Sequence, residues 1–476
     1  RNTYVKRKAF TMKSNDPFPS IGEYVYDTGG ELMLVPTYEN IGFYIDNDIS
    51  ASECFVYYRI AGEDEWKEAY KPYYDATDNQ WRGSITGLRE NTEYSVKAIL
   101  KTDGAEIEKI SCAKTWQDNP NIAKTIDASE FVENGTLNIQ GVKGTPDAWI
   151  KITAANGFIA DGGENNSEAV YISDCSYVIL DGIKITGGKR TGVLICNGST
   201  NVRIVNCDIS GWGRTGVLDE VSGGYRADGM TVNYEAGIRM RDVANVTVEK
   251  CYIHDSRAKT TPWVSDTWNW THPKGSCGIF YRVKDGCVIR YNDIIGCDDY
   301  RWNDAIEGSN NGARYGGANK NTDIYGNMLF GCEDDCVEID GGQMNVRVYN
   351  NRMEQALCGI SVAPNLAGPS YIFRNLIANM GTSNVRYIGT AIKSGGSDGF
   401  TGMMYLFNNT IDSICHSVRN VGYDKSMEFH SVSRNNIFVT RTAGYDAFTN
   451  KYADETDNND YDLISGKTVL KSGDGV

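Results

Sequence analysis

The sequence predicts an all-β chain: a right-handed parallel β-helix, a solenoid of short strands, preceded by a small β-sandwich. Three observations predict it. A five-residue phrase recurs in which Asn is followed by one residue and then an aliphatic. Copies are Tyr325-Gly326-Asn327-Met328-Leu329, Tyr349-Asn350-Asn351-Arg352-Met353, Phe373-Arg374-Asn375-Leu376-Ile377 and Phe407-Asn408-Asn409-Thr410-Ile411. Asn327, Asn351 and Asn375 are 24 residues apart, and other copies are spaced more widely, so a short core repeat carries variable insertions. No long stretch spaces its apolar residues for a helix, and 51 glycines punctuate short β-rich runs.

The elements follow in order. Residues 1–21 are polar, carry two prolines, and read as a leading arm. Residues 22–117 read as the sandwich, with alternating strands at Phe55–Ile60 and Tyr94–Ile99. Asn119-Pro120 marks a boundary. The coil runs from Ile122 to Ile437, and Ala148–Ile152 is an early rung. Residues 438–476 lose the repeat and read as a cap and tail. The repeated Asn (292, 327, 351, 375, 409 and 436) is expected at a turn, its amide bonded to the Asn one rung away. Asp181, Cys207 and Cys251 take that place in earlier copies. The role is structural rather than catalytic.

Composition excludes several classes. Lys and Arg total 47 against 62 Asp and Glu, a net charge of −15 with no basic tail, which argues against nucleic acid as a partner. No apolar run reaches membrane-spanning length, and the chain starts at Arg1 without a signal peptide. It reads as a monomer. The thirteen cysteines include no Cys-x-x-Cys pair, so zinc is not expected. Several fall at equivalent places in the repeat and read as buried apolar side chains rather than disulfides.

The chemistry lies in the strand after the Asn phrase. Successive copies include Ala236-Gly237-Ile238-Arg239, Cys277-Gly278-Ile279-Phe280, Asp304-Ala305-Ile306-Glu307, Asp335-Cys336-Val337-Glu338 and Thr390-Ala391-Ile392-Lys393. The third place is always aliphatic and faces inward, so the fourth faces outward. The outward ladder is Leu194, Arg239, Phe280, Glu307, Glu338, Ser361, Lys393, Arg419; two residues on lie Arg241, Arg282, Ser309 and Asp340. Glu307 and Glu338 are thus about 5 Å apart across the rungs, and Glu307 and Asp340 about 8 Å apart diagonally. Carboxylates this close cannot all ionise freely, the arrangement of an acid beside a base or nucleophile. Ion pairing with neighbouring Arg and Lys, or a calcium site, is the alternative. Asp304 and Asp335 share parity with the inward aliphatic and reach the groove only if the strand bends at its start. Long insertions near this face carry Trp263, Trp268 and Trp270, which either stack on sugar rings or pack the loop.

From Ile122 to Ile437 the chain resembles β-helix proteins of the pectate lyase and polygalacturonase kind, which implies a polysaccharide or oligosaccharide partner and a secreted, periplasmic or cell-surface location. Leu88–Tyr94 resembles the turn and strand of a fibronectin type III module, which implies a part that spaces or positions and is dispensable for chemistry. Glu333-Asp334-Asp335-Cys336 resembles the Asp-Asp-Cys segment of polygalacturonases, Asn303-Asp304 their Asn-Thr-Asp, and Ala391-Ile392-Lys393 their Arg-Ile-Lys. By that resemblance Asp304, Asp334 and Asp335 do acid and base work with inversion, and Lys393 binds a substrate carboxylate. The family's His-Gly is Cys358-Gly359 here, and its Arg is Ala391. The leading expectation is a glycoside hydrolase with no cofactor. Its catalytic candidates are Glu307, Glu338, Asp335, Asp340, Asp304 and Asp334, and Lys393, Arg239, Arg241, Arg282, Phe280 and the three Trp bind substrate. The alternatives are a lyase with a Lys or Arg base and calcium held by the acids, and a non-catalytic carbohydrate-binding solenoid.

Overall fold

The computed structural model describes residues 25–470 except 156, 222, 264–271, 315, 382–388, 395–401, 421–429 and 451–458. Two antiparallel four-stranded sheets come first. One orders Met33–Pro36, Asn40–Asp46, Gln80–Thr86 and Tyr73–Asp75; the other orders Lys67–Glu68, Glu53–Ile60, Glu93–Lys101 and Glu106–Lys114. Strand Glu93–Lys101 turns Tyr94, Val96, Ala98 and Leu100 inward, where they pack with Ile41, Phe43 and Ile45 of the facing sheet. The Arg89 N–H donates to the Tyr94 hydroxyl at 2.9 Å, closing the Leu88–Tyr94 turn.

The coil begins at Ile122–Asp127, which pairs in parallel with Trp149–Thr153. Each rung contributes strands to three parallel ladders. In one rung these are Val346–Tyr349, Arg352–Glu354 and Cys358–Val362. The inward aliphatics stack in register: Val348 on Ile372, Met353 on Ile377, Ile360 on Ile392. They and their equivalents form one continuous core along the coil. Cys175, Cys207, Cys251, Cys287, Cys332 and Cys336 sit inside it as free thiols.

The Asn repeat forms the expected ladder. The Asn327 N–H and side-chain amide both donate to Asn351 Oδ1, at 3.1 and 2.9 Å, and Asn351 repeats this toward Asn375. The series runs from Asn292 through Asn409 to Asn436, which donates to Asp462. At the other end Cys251 donates its N–H to Asn292 Oδ1 and its thiol to the Glu249 carbonyl.

The coil outruns its expected end. Ile437–Thr440 pairs with Leu463–Ser465, and Asp446–Asn450 with Lys467–Leu470, all in parallel. Over the described residues 438–450 and 459–470 the expectation of a cap and tail fails, because rungs with Asp462 in the Asn place, and Phe438 and Phe448 in the core, keep the geometry while losing the phrase; the rest of 438–476 lies outside the described residues.

The sandwich lies along the middle of the coil rather than beside its first rungs. Buried Asp323 accepts from Thr37 at 2.5 Å and Asn40 at 3.0 Å, and pairs with Arg347. The Tyr44 hydroxyl donates to Asn321 at 3.0 Å, and Ser84 N donates to the Tyr371 hydroxyl at 3.0 Å. No helix among the described residues is long and apolar enough to cross a membrane.

Candidate active site

The pairings reproduce the outward ladder. Leu194 lies beside Arg239, Arg239 beside Phe280, Phe280 beside Glu307, Glu307 beside Glu338, Glu338 beside Ser361, Ser361 beside Lys393, and Lys393 beside Arg419. Arg241 lies beside Arg282. The six candidate acids gather around the middle of this face.

Their exposure differs from the expectation. Alternation places Glu307, Glu338 and Asp340 in solvent, yet they are only 4%, 6% and 5% exposed. The loop 308–317 is the cause at one side. Asn311 donates to Glu338 Oε1 at 2.5 Å, and at Gly317 (φ +65) a Cβ would lie 1.7 Å from the Asp340 carbonyl. On the other side the Cys277 thiol meets Glu307 at 3.3 Å, and Tyr234 packs on Phe280 with ring centroids 5.2 Å apart.

Asp335 opens its strand, and Lys393 Nζ reaches its Oδ2 at 2.8 Å, so this carboxylate meets the outward ladder through the lysine. Asp304 Oδ1 accepts from the Asp335 N–H at 2.9 Å. Asp340 accepts from Ser361 Oγ and the Ala363 N–H, both at 2.6 Å. His272 Nε2 lies 3.1 Å from Asp334 Oδ2. The Trp263 and His272 rings pack 4.7 Å apart, centre to centre. Trp268 and Trp270 lie outside the described residues.

The expected cationic subsites are largely engaged already. Arg239 lies over Phe280 at 5.0 Å and donates to the Tyr234 carbonyl. Arg282 pairs with Asp242 at 3.3 Å. Lys393 serves Asp335 first, rather than standing free for a substrate carboxylate, because an uncompensated carboxylate this deep would be costly.

Electrostatics divides the acids. Burial pushes Asp334 up, but Lys393 and His272 outweigh it and hold the carboxyl below its usual range. Burial raises Asp335 to about 6, with Lys393 opposing, and raises Glu307 and Asp340 to about 7 each. Glu338 stands well above its usual value through burial and then the charges of Asp340 and Glu307; Asp304 does so through burial and Glu307. Burial lowers His272, and Asp334 more than reverses this. Both polar atoms of the Asn303 amide, and Asp335 Oδ1, are buried without a hydrogen-bond partner among the described residues.

Sequence reasoning missed His272, Asn311, Tyr234 and the Cys277 thiol as parts of this site. All four lie outside the alternating outward ladder; only the Cys277-Gly278-Ile279 repeat marked one of them, and as a packing residue. One oxygen each from Asp304, Glu307 and Glu338 lies within 4.8 Å of the others, a hard-oxygen set suited to calcium; Asp334, Asp335 and Cys358 converge equally closely, but the thiol makes that group a poor match for calcium.

A family model described as the right-handed β-helix region matches residues 191–365, the segment that carries all six candidate acids. No curated protein matches the chain. Together with its long parallel ladders, that match defines an all-β, right-handed parallel β-helix protein. The fold is one that many carbohydrate-active enzymes share.

Proposed function

We propose that the protein is a glycoside hydrolase that cleaves a plant or microbial polysaccharide. One observation carries this reading: in a single buried cluster Lys393 and His272 hold one carboxyl below its usual range, while burial and acidic neighbours push Glu338 well above it. Asp334, kept charged by Lys393 and His272, is the base or nucleophile. Glu338, kept protonated by burial and by its acidic neighbours, is the acid. Two titratable groups pushed apart in this way divide the donor and acceptor roles of glycoside cleavage. Beside them the buried Asn303 amide, without a hydrogen-bond partner among the described residues, would meet a sugar hydroxyl once substrate enters. The oxygens of Asp304, Glu307 and Glu338 lie too close together for an inverting pair, which needs about 6.5–9.5 Å between carboxyl groups. Inversion therefore takes at least one partner from Asp334, Asp335 or Asp340. An extracellular or cell-surface location suits such a substrate.

A polysaccharide lyase is the second reading, favoured by the calcium-suited oxygens of Asp304, Glu307 and Glu338. Against it, Asp335 and Asp334 hold Lys393 firmly protonated against the effect of burial, which makes it a poor base. The test is a panel of homogalacturonan, xylan, arabinan and bacterial exopolysaccharides, read for new reducing ends and for the ultraviolet absorbance of an unsaturated uronide. Reducing ends without absorbance support hydrolysis; absorbance overturns it in favour of the lyase.

A further inference from the structure

The loop that covers the acids is tied to the sandwich. Arg314 Nη2 lies 2.6 Å from Asp75 Oδ2 and 2.8 Å from Asp78 Oδ2, both on the sandwich. Arg82, wholly buried, pairs with the same two carboxylates, at 3.0 Å to Asp75. Arg314 also donates to the Leu366 carbonyl on the coil, so one guanidinium joins sandwich, loop and coil. Three residues earlier in this loop, Asn311 holds Glu338. Between them the Ala313 N–H closes on the Asn310 carbonyl at 3.1 Å, which makes the segment a compact turn.

We propose that Arg314 is a positioning residue: held by Asp75 and Asp78 of the sandwich, it sets Asn311 against Glu338 and so makes the sandwich part of the active site. The inference rests on the reading of Glu338 as an acid of that site. It also gives the N-terminal module a task that its spacer-like sequence does not suggest. With Nη2 on two sandwich carboxylates and Nη1 on a coil carbonyl, both arms of the planar guanidinium are engaged, which fixes direction as well as distance. The Asp75 and Arg314 side chains are 4% and 13% exposed, so water screens this pair weakly.

The test uses the full chain and whichever panel polysaccharide the wild type cleaves. Arg314→Ala should lower kcat about tenfold or more while KM stays within about twofold, since the substrate itself is untouched. Arg314→Ala combined with Asn311→Ala should lose no more than Asn311→Ala alone, because both changes break one connection. Arg314→Lys should restore part of the loss. Asp75→Asn with Asp78→Asn approaches the same link from the sandwich side. Amide exchange gives a reading free of activity: Arg314→Ala should speed exchange across residues 308–317 and leave Glu93–Lys101 unchanged. Wild-type kcat in Arg314→Ala, losses that multiply in the double variant, or unchanged exchange in the loop would each overturn the proposal. If no polysaccharide is cleaved, the hydrolase reading fails. Faster exchange confined to 308–317 would then still uphold the tie to the sandwich, and unchanged exchange would overturn that as well.

Discussion

Asn351→Ala removes one link from the middle of the Asn ladder. Asn351 accepts from the Asn327 N–H and amide, and donates to the Ile324 carbonyl at 2.9 Å and to Asn375 Oδ1 at 3.1 Å. Asn375 Oδ1 keeps the Asn351 N–H as a donor, and the Asn327 amide keeps the Ile289 carbonyl. The Asn327 N–H is left with nothing, at about 1–3 kcal/mol for a buried orphaned donor. The three weakened or lost side-chain bonds add a smaller amount, so the expected total is about 2–4 kcal/mol. Were the whole chain to melt as one unit, its unfolding entropy of about 1 kcal/mol per kelvin would shrink this to about 2–4 °C. Solenoids need not melt so. Amide exchange resolved by rung is therefore the better assay: protection at residues 323–330 and 346–354 should fall about 30- to 1,000-fold. Asn351→Asp keeps the acceptor and should cost less, as Asp462 does that work at the ladder's end. Unchanged protection around Asn351→Ala would show that the ladder is decorative and the reasoning wrong.

Three further outcomes follow from the acids. Glu338→Gln should lower turnover about 10²-fold or more with the fold intact, as measured by kcat and a melting curve. Stability should fall as pH rises from about 4 to about 7: Asp335, Glu307 and Asp340 have folded values raised to about 6, 7 and 7, so the folded state binds more protons across that window. A melting temperature that climbs over the same range would contradict the burial of these groups, and Glu307→Gln should flatten the slope. His272→Ala removes one of the two charges that hold Asp334 down, so burial should then raise that carboxyl and shift the acidic limb of the pH–rate profile upward. An unmoved limb would show that Asp334 is not the group titrating there.

Much of this was legible in sequence, for a definable reason. A strand has a period of two, so an invariant inward aliphatic at Ile238, Ile279, Ile306, Val337, Ile360 and Ile392 fixes which neighbour faces out. The pairing of Glu307 with Glu338 and of Ser361 with Lys393 follows from that alone. What periodicity cannot report is what lies on top. His272 and Asn311 come from insertions with no repeat, and the burial of Glu338 depends on where the second of these folds back. The docking of Asn40 and Tyr44 onto Asp323 and Asn321 joins residues 283 and 277 positions apart and has no local signature. The end of the coil was misplaced for the opposite reason: Asp462 does the ladder's accepting with a different residue type.

The docking of the sandwich on mid-coil rungs sets an order of events during synthesis. The module is complete at Lys114, but its partner Tyr371 leaves the ribosome roughly 250 residues later, an interval of about 13–50 s at ordinary elongation rates. Until Asn321 and Asp323 emerge, Thr37, Asn40 and Tyr44 stand on an uncovered polar face, and Ser84 waits longer still. A nascent chain therefore carries a folded head awaiting its seat, and arrest before Tyr371 should leave that head accessible to protease along a surface sealed in the finished protein.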